Sequence, residues 1–171
     1  MNLTAEQAKI IAGYTLADYE HELQASKAVI AAVPAGHESY TPAPKSMTAI
    51  ELAWHIASSE WFFLNGVADG AFKPGESGRP ENIRTAQEVL AWYDENVPPA
   101  LERAKGVSGE QLATPIDFFG MFNGPAVTYL TLMVKHGVHH RGQLSAYLRP
   151  MGARVPGIYG PSGDTPLPQG N

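Results

Sequence analysis

The sequence contains no cysteine, no long hydrophobic run and no cluster of basic residues, and each absence excludes a class of protein or site. Without cysteine the chain has no disulfide, no thiolate metal ligand and no thiol nucleophile of its own. The longest apolar stretches, such as Tyr129 to Val134, are far shorter than the ~20 residues that cross a bilayer. With a net charge of -5 and scattered arginines, the chain lacks the positive surface that binds nucleic-acid phosphates. We therefore expect neither a membrane nor a nucleic acid as a partner.

The composition and the first residues favour a cytoplasmic, single-domain protein. A chain of 171 residues with 44% hydrophobic and 17% charged residues suits one globular domain over residues 1–171. The opening residues, MNLTAEQ, lack the basic and then apolar run of a signal peptide. We expect this domain to stay in the cytoplasm.

Helical periodicity appears in four long segments. They are predicted at residues 4–33, from 46 or 48 to between 66 and 70, 85–104 and 125–148. Capping boxes of the form T-x-x-E at Thr48 and Thr85 mark two of the starts, and Pro125 suits a first helical turn. The pair Pro98-Pro99 is expected to kink or divide the third segment. Since no stretch shows convincing β-alternation, we expect an all-α four-helix bundle.

Proline and glycine mark the connecting segments. Residues 73–84 are predicted to form a loop, and Ser108 to begin a short capped segment before an aromatic connector that reaches Phe122. The Pro/Gly-rich tail, residues 150–171, is expected to be extended, because it suits neither a regular helix nor a central strand. Its apolar residues Ile158 and Tyr159 suggest that the tail lies against the body of the domain.

Three of the six histidines fall within the stretch VKHGVHHRGQL of the last predicted helix. At about 100° per residue, His136 and His140 lie only about 40° apart on the helix. Two imidazoles one turn apart can reach the same metal ion. Both lie on the face that a bundle helix turns inward, whereas His139 falls at the edge of this face.

A metal site needs a further ligand, and His55 is the best candidate because Leu52 and Ser59 share its inward helical face. His21 lies in an acidic stretch, and His37 lies in a predicted loop. Geometry alone leaves a second interpretation open, in which the histidines are hydrogen-bonded core residues or a solvated helix edge.

Several stretches resemble a known family. Residues 136–144, HGVHHRGQL, resemble the H-x-x-x-H-R-G-Q-[LIV] signature of the DinB family, within the DinB/YfiT-like superfamily of metalloenzymes. Residues 51–60, ELAWHIASSE, resemble that family's motif around a histidine midway along the second helix. Residues 148–152 and 158–164 resemble the C-terminal ends of many members, so the likeness spans nearly the whole chain.

The resemblance implies an up-down-down-up four-helix bundle with a three-histidine metal site at one end of its core. Carried onto this sequence, the ligands are His55, His136 and His140, the set that the helical faces favour. Members are associated with zinc, nickel or other divalent ions, and many are homodimers, so the resemblance implies a zinc or nickel ion and a homodimer for this chain. Some relatives use a low-molecular-weight thiol, as mycothiol-dependent maleylpyruvate isomerase and the bacillithiol or mycothiol S-transferases do. The absence of cysteine fits a thiol supplied as a cofactor.

Three further residues of these motifs suit supporting roles. Gln143, about 20° from His136 on the helix, suits a hydrogen-bond partner that orients an imidazole. Glu51, about 40° from His55, suits the same role, although capping explains it equally well. Arg141 is predicted to make an ion pair or to pack between helices.

Three hypotheses of function follow. The first is a metal-dependent enzyme of the S-transferase or hydrolase type, in which a metal-bound water or an exogenous thiol attacks a small-molecule substrate. The second is a non-catalytic bundle that binds a metal or a small molecule, such as a stress- or damage-inducible protein. The third is a plain helical bundle whose histidines pack without a metal.

Overall fold

A computed structural model of the protein describes residues 2–75 and 78–166. Its elements are α1 (Ala5–Ala31), α2 (Ala49–Asp69), α3 (Ala86–Lys105), the short α4 (Gly109–Ala113), β1 (Pro115–Phe118), β2 (Phe122–Pro125) and α5 (Ala126–Leu148). The four long helices confirm the predicted helical bundle, while the up-down-down-up order of the helices stays a prediction. Among the described residues, no helix is both long and apolar enough to cross a membrane.

The helix starts are set by local side-chain chemistry. Thr48 and Thr85 cap α2 and α3 through the predicted capping boxes, and Thr4 caps α1 in a box with Gln7. In each box the threonine side chain accepts from a backbone N–H of the first turn, which otherwise has no partner. Helix α2 ends at Asp69 and is capped by Gly70, whose φ of 71° is a conformation that favours glycine.

The helices pack so that α2 and α5 share a long contact. Helix α2 packs against α3 and α5, and α1 packs against the same two helices and against α4. Helices α1 and α2 touch little and therefore lie at opposite corners of the bundle. The interior is filled by aliphatic and aromatic side chains from all four long helices. The α2–α5 contact positions the histidines described below.

A short β-hairpin contradicts the expectation that the chain has no strand. Strand β1 pairs antiparallel with β2, with Pro115 opposite Pro125 and Phe118 opposite Phe122. Each strand has only four residues, too few for an alternating pattern to stand out. The hydroxyl of Tyr129 donates to the carbonyl of Ile116 at 2.6 Å and ties the hairpin to α5.

Pro98-Pro99 does not divide the third helix, because α3 runs through both prolines, and the alternative of a kink stays a prediction. A proline removes the hydrogen bond to the carbonyl four residues earlier. Those carbonyls belong to Asp94 and Glu95, which are exposed, as are both prolines. Water can therefore satisfy the carbonyls, and the helix continues.

The tail crosses the body of the domain, as the sequence indicated. Ile158 packs against the core, while Tyr159 is 71% exposed and contacts the body through its hydroxyl and through its ring, which lies 5.5 Å from the guanidinium carbon of Arg141. Residues 149–166 contain neither helix nor strand. The remainder of the predicted tail, residues 167–171, and positions 76 and 77 of the predicted loop lie outside the described residues.

Candidate metal centre

Three imidazoles converge between α2 and α5. His55 lies in the first half of α2, and His136 and His140 lie one turn apart on α5. The Nε2 atom of His55 lies 3.2 Å from Nε2 of His136 and 3.1 Å from Nε2 of His140. One ring nitrogen of each residue lies within 4.8 Å of the other two. The structure thus brings together the three histidines that the sequence singled out.

This arrangement fits a metal ion better than a set of hydrogen bonds. A neutral imidazole nitrogen carries either one N–H or one lone pair, so Nε2 of His55 can make one well-formed hydrogen bond but not two. Nitrogens bound to one tetrahedral zinc ion are about 3.3 Å apart, given bonds of 2.0–2.1 Å. The buried Nδ1 of His136 has no hydrogen-bond partner within the described ranges. Its tautomer is therefore set by whatever meets Nε2, and a cation there would place the proton on Nδ1.

Burial keeps the imidazoles in the neutral form that binds metals. Desolvation and, to a smaller extent, the nearby His140 together lower the pKa of His55 to about 4. Desolvation, aided by the neighbouring histidines, also lowers the pKa of His136 to about 4. The pKa of His140 is lowered by desolvation, although its hydrogen bond with Gln143 acts against this. No proton therefore has to leave His55 or His136 at neutral pH before a metal binds.

Gln143 makes a contact of the predicted kind, on His140 rather than on His136. Its Oε1 lies 2.7 Å from Nδ1 of His140. Because an amide oxygen only accepts, Nδ1 carries the proton and Nε2 is left bare toward the other two rings. Glu51 instead serves the cap of α2, where its carboxylate accepts from the backbone N–H and the hydroxyl of Thr48, each at 2.8 Å. His139 is exposed and touches only the edge of the site, with its ring centroid 4.8 Å from that of His140.

A buried carboxylate network below the histidines was not predicted. Glu60, only 2% exposed, accepts from the hydroxyls of Tyr19 at 2.6 Å and Ser26 at 2.8 Å, and also from Tyr93. Burial raises the pKa of Glu60, although the three hydroxyls act against this rise. Glu60 follows His55 by five residues on α2, about 7.5 Å along the helix. A lone carboxylate in the apolar stretch IASSEWFFL was the available sequence signal, but its partners lie on other helices.

Arg141 makes the predicted ion pair, and it does so inside the protein. Only 1% of the residue is exposed, and its guanidinium pairs with the carboxylate of Glu22 on α1. The same group donates to the carbonyl of Glu22 at 3.0 Å and to the hydroxyl of Tyr159 in the tail. The hydroxyl of Tyr159 in turn donates to Glu22 at 2.7 Å. Arg141 therefore joins α5, α1 and the tail and takes no part in the histidine cluster.

Comparisons with known proteins agree with this geometry. The DinB family matches residues 13–167 of the chain. The chain is 38% identical over 120 residues to the uncharacterized protein YjoA of Bacillus subtilis strain 168, which covers 68% of this chain and 75% of that protein. It is 27% identical over 120 residues to the uncharacterized protein YrdA of the same strain, over 69% of this chain and 70% of that protein.

Two solved structures share the fold. The crystal structure of the DinB-like protein YjoA from Bacillus subtilis aligns with a TM-score of 0.70 at 25% identity, over 85% of this chain and 97% of that chain. The crystal structure of a DinB-like protein from Bacillus cereus ATCC 10987 aligns with a TM-score of 0.73 at 26% identity, over 93% of this chain and the whole of that chain. With the family match covering most of its length, the chain belongs to the DinB family.

Proposed function

We propose that this protein is a metal-dependent enzyme of the thiol-dependent S-transferase or hydrolase type, with His55, His136 and His140 as the metal ligands. The observation that carries the proposal is the convergence of three Nε2 atoms, two of them 3.1 and 3.2 Å from the third. These three imidazoles would hold a divalent transition metal, zinc or nickel, which when bound would supply Lewis-acid chemistry and lower the pKa of a water or low-molecular-weight thiol.

The protein's own residues prepare the site in two ways. Desolvation keeps His55 and His136 neutral, so both present a lone pair at physiological pH. The amide oxygen of Gln143 accepts a hydrogen bond from the Nδ1–H of His140. This bond fixes the tautomer in which the bare Nε2 faces the other rings. Burial therefore provides two neutral ring nitrogens, and Gln143 orients the third.

The number of ligands favours catalysis over a purely structural metal. Structural zinc sites have four protein ligands, whereas catalytic sites have three and leave one position for water or substrate. The two glutamates of this part of α2 have other roles, because Glu51 caps its helix and Glu60 binds three hydroxyls in the core. Among the described residues no fourth ligand accompanies the three histidines, which favours a site with an open position.

Metal analysis of untagged protein tests the ligand set. We expect about one equivalent of a transition metal in the native protein or after reconstitution with zinc, and we expect H55Q, H136Q and H140Q each to lose it. The variant H139Q is the matched control and keeps the metal, because its ring lies outside the cluster. Less than about a tenth of an equivalent after reconstitution would overturn the proposal.

X-ray absorption at the zinc edge separates an enzyme from a non-catalytic metal site. In an open site, adding N-acetylcysteine is expected to introduce one sulfur ligand at about 2.3 Å beside the imidazoles. A coordination sphere already closed by four protein ligands and unchanged by the thiol would favour the non-catalytic alternative.

A further inference from the structure

A cavity of about 430 Å³ lies beside His55. Its wall combines the loop before α2, one face of α2 and one residue of the loop before α3. The lining residues are Pro44, Lys45, Ser46, Met47, Glu51, Trp54, His55, Ser58 and Arg79. Sites for small molecules have volumes of this order. The cavity therefore has room for an occupant whose one end lies next to a predicted metal ligand.

The charged groups of the wall favour an anion. Lys45 and Arg79 are both exposed cations in this cavity, within a chain whose net charge is -5. The opposing carboxylate is Glu51, whose oxygens already accept the hydrogen bonds of Thr48 at the start of α2. Glu51 stays ionised, because the hydrogen bonds from Thr48 lower its pKa and the charge of Arg79 lowers it in the same direction. The described wall therefore has two cations against one carboxylate, and an ammonium and a guanidinium are the usual partners of a ligand carboxylate.

The remaining wall is apolar on one side. Trp54 borders the cavity with the small part of the residue that is exposed, 5%, and its indole packs edge-on against Trp92, with ring centroids 4.6 Å apart. Met47, which is 42% exposed, lies in the same lining. An aromatic ring fixed by a neighbour gives an apolar ligand a contact surface at little entropic cost. The wall therefore offers cations, an apolar surface and an imidazole within one cavity.

We infer that this cavity binds a small organic carboxylate with an apolar body. Its carboxylate lies between Lys45 and Arg79, its apolar part lies along Trp54 and Met47, and its other end faces His55. This assignment rests on the proposed function in one respect: the occupant is taken to be the substrate or thiol cofactor of the histidine centre.

Calorimetric titration with three probes of one shape tests the charge preference. We expect 3-phenylpropionate to bind about tenfold more tightly than 3-phenylpropan-1-ol or 3-phenylpropylamine, since only the carboxylate meets both cations. Raising the salt concentration should weaken the binding of 3-phenylpropionate and leave the binding of 3-phenylpropan-1-ol unchanged. Each titration is run on zinc-loaded and on zinc-free protein.

Substitution of the cations locates the binding. K45Q/R79Q is expected to reduce the preference for the carboxylate to less than about twofold, and K45Q alone to weaken that probe about threefold. R84Q is the control, because Arg84 is an exposed cation of the same loop outside the cavity lining. K45Q keeps the test valid if R79Q disturbs the loop, where Arg79 donates to the carbonyl of Ile83.

The outcomes separate this inference from the proposed function. Equal binding of the three probes, or a preference that survives K45Q/R79Q, would overturn the inference even if zinc binds to the histidines. Loss of zinc binding together with a carboxylate preference in zinc-free protein would overturn the proposed function and support the cavity as an anion site.

Discussion

A β-carbon added at Gly137 of α5 would lie 3.1 Å from Oε1 of Glu60 on α2. Three hydroxyls from α1 and α3 hold both oxygens of this carboxylate, so it cannot easily move away. The glycine therefore makes room for the carboxylate in the middle of the bundle. All four long helices meet at this point.

Alanine in place of a glycine usually stabilises a helix interior, but at Gly137 we expect it to destabilise the protein. Alanine favours a helix interior over glycine by about 1 kcal/mol, but overpacking costs about 1–3 kcal/mol. We expect Gly137→Ala to lower the free energy of unfolding by about 1 kcal/mol. Gly142 of the same helix is the control, because an added β-carbon meets nothing within 4 Å. Urea denaturation measures the free energy of unfolding of both variants. An equal increase in G137A and G142A would show that the carboxylate of Glu60 moves away from the added β-carbon.

The buried ion pair of Arg141 predicts a second, larger loss of stability. Arg141→Met leaves the carboxylate of Glu22, whose side chain is only 12% exposed, without its cation. Breaking such a pair from one side typically costs about 3–5 kcal/mol. Arg149→Met is the control, because its pair with Asp164 at 3.2 Å is exposed and contributes about 0–1 kcal/mol.

Thermal unfolding of the two variants compares these losses directly. A loss in R141M no larger than that in R149M would mean that water reaches Glu22 and replaces the guanidinium. Tyr159 of the tail contacts both members of the buried pair.

Features with a local cause could be predicted from the sequence. The threonine caps depend on a spacing of three residues, and the pair His136 and His140 depends on the helical repeat, so both follow without knowledge of the fold. His55 was found because its inward face could be recognised from its neighbours on α2. The histidine cluster needed only two helical faces to meet.

Features that depend on distant neighbours could not be predicted in this way. The partners of Glu60 come from α1 and α3, and the local sequence around Glu60 does not indicate which residues they are. The helix runs through Pro98-Pro99 because the carbonyls affected face solvent, a fact of packing rather than of local preference. The cavity beside His55 is likewise formed by two loops whose approach to α2 has no periodic signal.

The contact between Gln143 and His140 predicts a change in metal affinity without a change in stability. Gln143→Leu removes the acceptor of the Nδ1 proton, and loss of such a partner typically weakens metal binding about 10- to 100-fold. Gln143→Glu keeps an acceptor and is expected to retain affinity. Because the side chain is exposed, both variants should unfold within about 0.5 kcal/mol of the parent protein. Competition titration with a zinc chelator measures the affinities, and Q143L binding as tightly as Q143E would rule out this role.

Metal-free protein is expected to lose stability as the pH falls, because of the same burial that prepares the histidines. The pKa of His55 and of His136 is about 4 in the folded protein, against an ordinary value of 6.5. Between these values the unfolded chain binds more protons than the folded one, so the free energy of unfolding rises with pH. The stabilisation is complete above pH 6.5 and is lost as the pH falls toward 4.

Urea denaturation in the presence of EDTA, from about pH 7 to about pH 5, measures this slope. H55Q/H136Q is expected to show a shallower slope, because glutamine does not titrate, whereas H139Q is expected to keep the parent slope. Glu60 acts in the opposite sense, since burial raises the pKa of its carboxyl group. It is present in all three proteins and therefore cancels in the comparison. Identical slopes in the parent and in H55Q/H136Q would mean that the imidazoles are solvated in the metal-free protein and are not held neutral by burial.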